Sequence, residues 1–300
     1  MHSTTTVRRA AGLMGTVGLL AFAAACGSQE AAGPGADGSD PSAGGAPATG
    51  IALPPEASHV HGAGFDADSG EVLVATHAGL FTVPGPDGGQ ESPEPERVGP
   101  VIDLMGFSVA EPGRYVASGH PSPGVDMPDP VGLIESRDGG ETWEALSLSG
   151  ESDFHALAAS GERVVGFDGA LRATRDGSEW TDLDGGVRPV SLAVSDDGGT
   201  VLATTQQGPM RSEDGGEGFS PVEDAPVLAL VDWAAGTDTV YGLTPEGEVH
   251  RSEDAGATWE RTGGVDGPPQ AIHAEEDRLF VVADDRISRS DDGGASFSGW

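Results

Sequence analysis

The histidines are the residues of this sequence whose type and spacing point most directly to chemistry. Five of the eight lie between residues 59 and 155. A neutral imidazole can bind Zn, Cu, Ni or Fe, act as a general acid or base, or hydrogen-bond to a polar ligand. Any one of them could have a purely structural role, whereas five in one region favour a binding cluster. The five candidates are His59, His61, His77, His120 and His155.

Three other side chains near these histidines could take part in the same chemistry. Met105 occupies the place in the second repeat that His61 occupies in the first, and its thioether would suit copper. Asp103 and Asp153 could orient the rings or share in ligation, and they are also our candidates for the carboxylate pair of a glycosidase. The sequence thus predicts a site for a transition metal (Cu, Zn or Ni), a small polar ligand or a carbohydrate.

A repeated motif indicates which elements must position these residues. The pattern Ser/Thr-x-Asp-x-Gly-x-x-aromatic occurs four times, and a version one residue shorter occurs once. The motif aspartates are 38, 38, 40 and 38 residues apart. A period of about 40 residues is that of a four-stranded β-propeller blade. The motif aspartates are Asp138, Asp176, Asp214, Asp254 and Asp292.

The motif predicts a tight hairpin. The Ser/Thr hydroxyl and the Asp carboxylate can accept hydrogen bonds from backbone N–H groups inside the turn. The glycine allows a backbone conformation that residues with a Cβ atom avoid, and the aromatic ring packs beside the hairpin.

The repeats predict an all-β, six-bladed β-propeller with four-stranded antiparallel blades over residues 56–300. Strand-like runs are short, turn residues separate them, and no long amphipathic helix pattern occurs. We expect Trp300 to end the last strand. In an antiparallel blade, the first strand starts at the edge where the second strand ends. The five histidines and Met105 should therefore lie at one mouth of the central channel, with the motif hairpins at the other.

The first 26 residues have the features of an export signal. Arg8 and Arg9 precede an apolar run that is too short to span a membrane as a stable helix. Residues 23–26 resemble a bacterial lipobox, and Cys26 is the only cysteine. We therefore expect lipid attachment at Cys26, localisation on the extracytoplasmic face of the cell membrane, and no disulfide within the chain. Residues 27–55, rich in Gly, Ala, Pro, Ser and Asp, should be a disordered linker.

The charge of the chain narrows the range of partners. The formal net charge is −34, and the sequence contains no lysine. Such a surface repels nucleic acid and anionic lipid. We therefore expect no nucleic-acid partner, a monomer, and membrane contact through the lipid anchor only.

The repeated motif resembles the Asp-box, or bacterial neuraminidase repeat, of sialidases and sortilin-like receptors. Other strings resemble a bacterial lipoprotein family that is grouped with glycosyl hydrolases and sialidase-like proteins because of its repeats. The resemblance covers about residues 57–300 and implies Asp-box turns on the hairpin of the third and fourth strands, away from the active face. It therefore implies that the five motif aspartates are structural. The strings include His59-Val60-His61-Gly62, Ser118-Gly119-His120-Pro121 and Asp153-Phe154-His155-Ala156-Leu157.

The residues that define a sialidase are not evident in this sequence. It has no Phe/Tyr-Arg-Ile-Pro motif. Only Arg188 and Arg286 are expected at the histidine mouth, and Tyr115 and Tyr241 are expected away from it. Whether the chain is an enzyme therefore stays open. Three classes of function remain: a binding protein for a metal or small polar ligand, a non-sialidase glycoside hydrolase, and a scaffold for another exported protein.

Overall fold

The computed structural model describes residues 50–90, 92–183 and 185–300. Within these ranges the strands form six antiparallel sheets of four strands each, and the predicted six-bladed β-propeller is confirmed. Two short 3-10 helices lie at Pro55–Ala57 and Pro86–Gly88. No helix among the described residues is long and apolar enough to cross a membrane. The predicted export signal, Cys26 and most of the predicted linker lie outside the described residues.

The blades follow one another along the chain after an initial short strand, β1 (Ile51–Ala52). Blade one contains β2 (Val60–Asp66), β3 (Glu71–Thr76), β4 (Gly79–Pro84) and β5 (Glu96–Val98). Blade two contains β6 (Ile102–Glu111), β7 (Arg114–Pro121), β8 (Leu133–Ser136) and β9 (Glu144–Ser147). Blade three contains β10 (Ala156–Ser160), β11 (Arg163–Phe167), β12 (Leu171–Thr174) and β13 (Thr181–Asp182).

The second half of the ring is built in the same way. Blade four contains β14 (Leu192–Val194), β15 (Val201–Ala203), β16 (Met210–Ser212) and β17 (Ser220–Pro221). Blade five contains β18 (Leu230–Trp233), β19 (Val240–Leu243), β20 (Glu248–Ser252) and β21 (Glu260–Gly264). Blade six contains β22 (Pro269–Ala274), β23 (Leu279–Ala283) and β24 (Arg286–Ser290), and β1 completes it.

Blade six is closed by the beginning of the described chain and not by its end. β1 pairs antiparallel with β24, with Ile51 opposite Ile287. The prediction that Trp300 ends the last strand is therefore wrong, and so is the extension of a disordered linker to residue 55. The end of the chain instead supports the neighbouring blade, because the Trp300 indole N–H donates a hydrogen bond of 2.9 Å to the Pro84 carbonyl in blade one. Both ends of the described chain thus hold blades six and one together.

The motif turns have the hydrogen bonds that the sequence predicts. In the turn after β8, the Ser136 hydroxyl accepts from the Gly140 N–H at 2.9 Å, and Asp138 Oδ1 accepts from the Thr142 N–H at 2.9 Å. The turns after β16, β20 and β24 repeat both bonds. In the shorter turn after β12, Asp176 Oδ1 accepts from the N–H groups of Ser178 and Glu179. In blades two to five the turn joins the third and fourth strands, as the resemblance implied, whereas in blade six it follows the third strand, β24, and the fourth strand is β1.

Glycines in these turns allow neighbouring blades to pack closely. Gly140 and Gly256 have φ angles of +91° and +80°, a backbone region that favours glycine. A Cβ atom on Gly140 would clash with Leu80 of blade one, and one on Gly256 would clash with Leu202 of blade four. Each turn therefore packs against the preceding blade as well as closing its own hairpin.

A buried carboxylate joins blades one and two. Asp66, at the end of β2, accepts hydrogen bonds from the Tyr115 hydroxyl at 2.8 Å and from the Gly113 N–H at 2.9 Å. Burial acts to raise the pKa of Asp66, but hydrogen bonds from Tyr115, Gly113 and Asp68 outweigh it and hold the pKa below its ordinary value. Asp66 therefore stays ionised and keeps its donors on the neighbouring blade.

The pairing of β1 with β24 predicts that shortening the Ile51 side chain strongly destabilises the fold. Ile51 is 8% exposed and packs in the core shared by blades six and one. Ile51→Ala should lower the free energy of unfolding by about 2–5 kcal/mol, because it removes buried apolar surface and leaves a cavity. Val227→Ala is the control, since Val227 is 50% exposed and should change stability by about 0.5 kcal/mol or less. Equal effects of the two changes in urea unfolding would show that β1 does not hold blade six.

The Asp66 contact predicts a stability effect that depends on pH. Tyr115→Phe should cost about 1–3 kcal/mol near pH 7, because the Asp66 carboxylate loses a buried donor. A carboxyl group with a lowered folded-state pKa stabilises the fold above its unfolded pKa of about 3.9, and this contribution is lost as the pH falls through the folded-state pKa. The cost of Tyr115→Phe should therefore shrink on acidification.

Tyr241→Phe is the matched control for that experiment. The Tyr241 hydroxyl is also buried but donates to a backbone carbonyl, that of Glu276, at 2.9 Å. Its removal should have a cost that changes less with pH. A cost of Tyr115→Phe that does not vary between pH 7 and acid, relative to Tyr241→Phe, would contradict the role assigned to Asp66.

Candidate metal site on blades one to three

Equivalent positions of three successive blades carry the candidate residues. His61 lies in β2 and His59 just before it, at the edge of the blade where His77 follows β3. The His77 N–H donates to the His59 carbonyl at 3.1 Å. In blade two, Asp103 of β6 is paired with His120 of β7. In blade three, the His155 N–H donates to the Phe167 carbonyl at the end of β11. The predicted common edge for the five histidines is therefore confirmed in each blade.

In blades two and three, the motif turn lies at the opposite end of the blade. In blade two, β7 runs from Arg114 to Pro121, with His120 near its end. Ser136, where the motif turn begins, is paired with Tyr115 near the start of β7. The two sets of residues are therefore separated by the length of the strand, as predicted from the repeats.

The closest group consists of His61, His77 and Asp103, called here the His61 cluster. The Asp103 carboxylate of blade two lies between two imidazoles of blade one, with Oδ2 at 2.8 Å from His77 Nδ1 and Oδ1 at 3.4 Å from His61 Nε2. One ligand atom from each residue lies within 4.8 Å of the other two. This set of two imidazoles and one carboxylate is one that zinc and other divalent transition metals bind.

Two atoms of the His61 cluster are buried without a hydrogen bond in the described part of the chain. They are His61 Nε2 and Asp103 Oδ1. Buried polar atoms normally have partners, so each atom without one has a capacity that a ligand could fill. His77 is 65% exposed at its side chain, which leaves the cluster open to solvent.

Burial favours the neutral form of His61. It lowers the pKa of His61, and although the Asp103 carboxylate opposes this effect, the nearby imidazoles of His77, His59 and His155 act in the same direction as burial. A metal binds the neutral imidazole through a nitrogen lone pair. His61 is therefore held in the protonation state that ligation requires.

A second group consists of His120, Asp153 and His155, called here the His120 cluster. Asp153 Oδ2 lies 2.9 Å from His120 Nε2 and 3.5 Å from His155 Nε2. The other ring nitrogen of His120, Nδ1, lies 2.6 Å from Asp129 Oδ1. The hydrogen bond with Asp129, followed by that with Asp153, raises the pKa of His120 against the effect of burial.

Two residues that the repeat pattern does not mark contribute to this side of the propeller. Asp129 lies in the loop between β7 and β8, where no repeat pattern marked it as a partner of His120. His273, which is not one of the five candidates, lines the central channel with its Nδ1 3.4 Å from Asp232 Oδ2. The channel holds a cavity of about 290 Å³, which His61 and His155 also line.

The remaining predicted residues lie beside the clusters or apart from them. His59 is exposed, and its ring centroid is 6.0 Å from that of His77. Met105 lies in a bulge of β6 between Asp103 and Gly106, and no hydrogen bond or ring contact of the described residues joins it to a histidine. His250 is buried in β20 of blade five, as expected for a residue outside the site.

The two tyrosines lie where a sialidase nucleophile would be inaccessible. Tyr115 and Tyr241 are both fully buried, and their hydroxyl groups donate to Asp66 and to the Glu276 carbonyl, respectively. The Arg286 guanidinium donates to the Gly50 carbonyl beside β1, at 3.1 Å. Asp103 and Asp153, the candidate glycosidase pair, each contact two histidines instead of standing free.

Comparison with known proteins places the chain among the β-propellers. A gluconolactonase, XC5397 from Xanthomonas campestris, is 13% identical with a TM-score of 0.58 over 80% of this chain and 86% of that chain. A chain of a nidogen/laminin complex is 11% identical with a TM-score of 0.57 over 76% and 91%. YCF48 bound to a D1 peptide is 16% identical with a TM-score of 0.49 over 83% of each chain. At identities of 11% and 13%, the likeness to the nidogen/laminin chain and to the gluconolactonase is one of fold.

No protein-family model and no curated protein matches the sequence. The likeness to the Asp-box lipoprotein family is therefore a resemblance of sequence strings alone. It assigns no function to this chain, because function depends on the site and not on the fold.

Proposed function

We propose that this chain is an exported, lipid-anchored β-propeller that binds a divalent transition metal ion through the His61 cluster. The observation that carries the proposal is the convergence of two imidazole nitrogens and one carboxylate oxygen within 4.8 Å. The two buried atoms without hydrogen bonds, His61 Nε2 and Asp103 Oδ1, add to it. The resemblance to a glycosyl hydrolase-like lipoprotein family agrees with export but does not name a substrate.

The donor set fits zinc, copper or nickel better than a hard cation. Imidazole suits these borderline metals, whereas calcium and magnesium prefer a shell of oxygen ligands. Three protein ligands would leave a fourth position of a tetrahedral ion for water or a small polar ligand. This position would face solvent on the side of His77, which is 65% exposed at its side chain. A metal and a small polar ligand can thus share one site.

The strongly acidic surface supports cation binding. The formal net charge of −34 attracts cations and raises their concentration near the protein. The Asp103 side chain is only 14% exposed, so burial has removed most of the water around its carboxylate. A bound cation would compensate the charge that this water no longer stabilises.

Metal binding should be measurable in the full-length chain carrying Cys26→Ser, which removes the lipid-attachment residue. We expect Zn(II), Cu(II) or Ni(II) to bind in calorimetric titrations and to be released as the pH falls from about 7 to about 5, because the ligating imidazoles must be neutral. His77→Ala or Asp103→Asn should weaken binding by at least about tenfold to a hundredfold, the loss found on removing even an outer partner of a ligand.

His250→Ala is the control for the metal experiment, since His250 lies in blade five outside the cluster. All variants should first be shown to retain the wild-type circular dichroism spectrum. If the folded wild type binds none of the three metals, the proposed function is wrong. If sugars instead protect His61 and His77 from chemical modification, the carbohydrate-binding or hydrolase alternative replaces it. If neither ligand binds, the scaffold alternative remains.

The anchor at Cys26 is a proposal about residues outside the described ranges. Growth with radiolabelled palmitate should label the wild type and leave it in the membrane fraction, since the residues before Cys26 resemble a lipobox. Cys26→Ser should lose the label and move to the soluble extracytoplasmic fraction. A variant that is labelled as strongly as the wild type and remains cell-bound would rule out lipid attachment at this residue.

A further inference from the structure

We propose that the His120 cluster binds a second divalent transition metal ion, so that blades one to three carry a two-ion centre. This extends the proposed function of the His61 cluster but depends on different residues. The ligands would be His120 Nε2, a carboxylate oxygen of Asp153 and His155 Nε2.

The orientation of His120 is that of a metal-ligating histidine. Its Nδ1 lies 2.6 Å from Asp129 Oδ1, a carboxylate on the far side of the ring from Asp153. Histidine ligands commonly donate one ring N–H to a carboxylate while the other nitrogen binds the metal. The Asp129 contact therefore fixes the ring so that Nε2 points at Asp153, 2.9 Å away.

Asp153 has the capacity to accept a cation. Its side chain is 18% exposed, and its Oδ1 atom is buried without a hydrogen-bond partner among the described residues. Its Oδ2 atom is approached by two imidazole nitrogens, those of His120 and His155. A cation beside this carboxylate would satisfy the unpartnered oxygen and compensate its buried charge.

The two clusters are related by the blade repeat. His77 and His120 lie at equivalent ends of the second strands of blades one and two. Each meets a carboxylate from the next blade, Asp103 for His77 and Asp153 for His120. The pairing of Asp103 with His120 on β6 and β7 makes the clusters neighbours. The arrangement that forms the first cluster is thus repeated one blade further on.

Binding at the His120 cluster requires the His155 ring to adjust, because its Nδ1 now lies 3.1 Å from the Asp153 carbonyl oxygen. The cluster is more open than the His61 cluster, with His155 Nε2 3.5 Å from Asp153 Oδ2. The His155 side chain is 59% exposed, so its ring can turn toward Asp153 without disturbing the core. The His120 ring carries a proton on each nitrogen when it donates to both Asp129 and Asp153. A bound ion would replace the proton on Nε2.

The number of zinc ions bound per chain tests the proposal. Native mass spectrometry and calorimetry of the full-length chain carrying Cys26→Ser should give two ions for the wild type. His120→Gln and His155→Gln should each leave one ion, and His77→Ala should leave the other. A variant combining His77→Ala with His120→Gln should bind neither. His273→Gln is the matched control, because His273 also lies beside a carboxylate, Asp232, but no second histidine contacts that carboxylate in the described contacts.

The outcomes separate this proposal from the first one. One ion in the wild type, lost in His77→Ala and unaffected by His120→Gln, would overturn the second site and leave the proposed function intact. One ion lost in both variants would show a single shared site and would also overturn the two-ion centre. Loss of an ion in His273→Gln would show that the count is not specific to these clusters. Asp129→Asn should weaken the second ion by at least about tenfold without changing the first.

Discussion

The structure depends on closure of the ring, in which β1 and β24 join the two ends of the described chain in one blade. A propeller blade has exposed sheet edges unless its neighbours and its own outer strand cover them. The two hydrogen-bonded residues of β1 and the Trp300 contact with Pro84 complete blade six against blade one. Once the ring is closed, the first strands of all six blades must converge on the channel, and this convergence brings distant residues to one edge.

The two ends of blades two and three are chemically different. At one end, the Ser/Thr and Asp residues of the motif turns satisfy backbone N–H groups, and the glycines let each turn contact the preceding blade. At the other end, carboxylates from one blade meet imidazoles from the previous blade. The motif aspartates accept hydrogen bonds from the backbone inside their turns, whereas Asp103 and Asp153 each have one buried oxygen without a hydrogen bond among the described residues. This difference separates structural from candidate binding carboxylates.

The fold and the common edge of the histidines could be predicted because a regular period places equivalent residues at equivalent positions. β1 could not be predicted, since two residues show no strand periodicity and their partner lies at the other end of the chain. Asp129 could not be predicted as a partner of His120 because it lies in a loop of blade two without a counterpart in the repeat. Which histidines actually share a carboxylate depended on side-chain distances between blades, and a sequence period does not contain these.

The central claim is that the His61 cluster binds a metal ion, and crystals soaked in zinc would test it most directly. An anomalous difference map at the zinc edge should show a peak bonded to His61 Nε2, His77 Nδ1 and a carboxylate oxygen of Asp103, with bond lengths of about 2.0–2.2 Å. Zinc found only on exposed carboxylates or at His250, with no peak beside Asp103, would contradict the account.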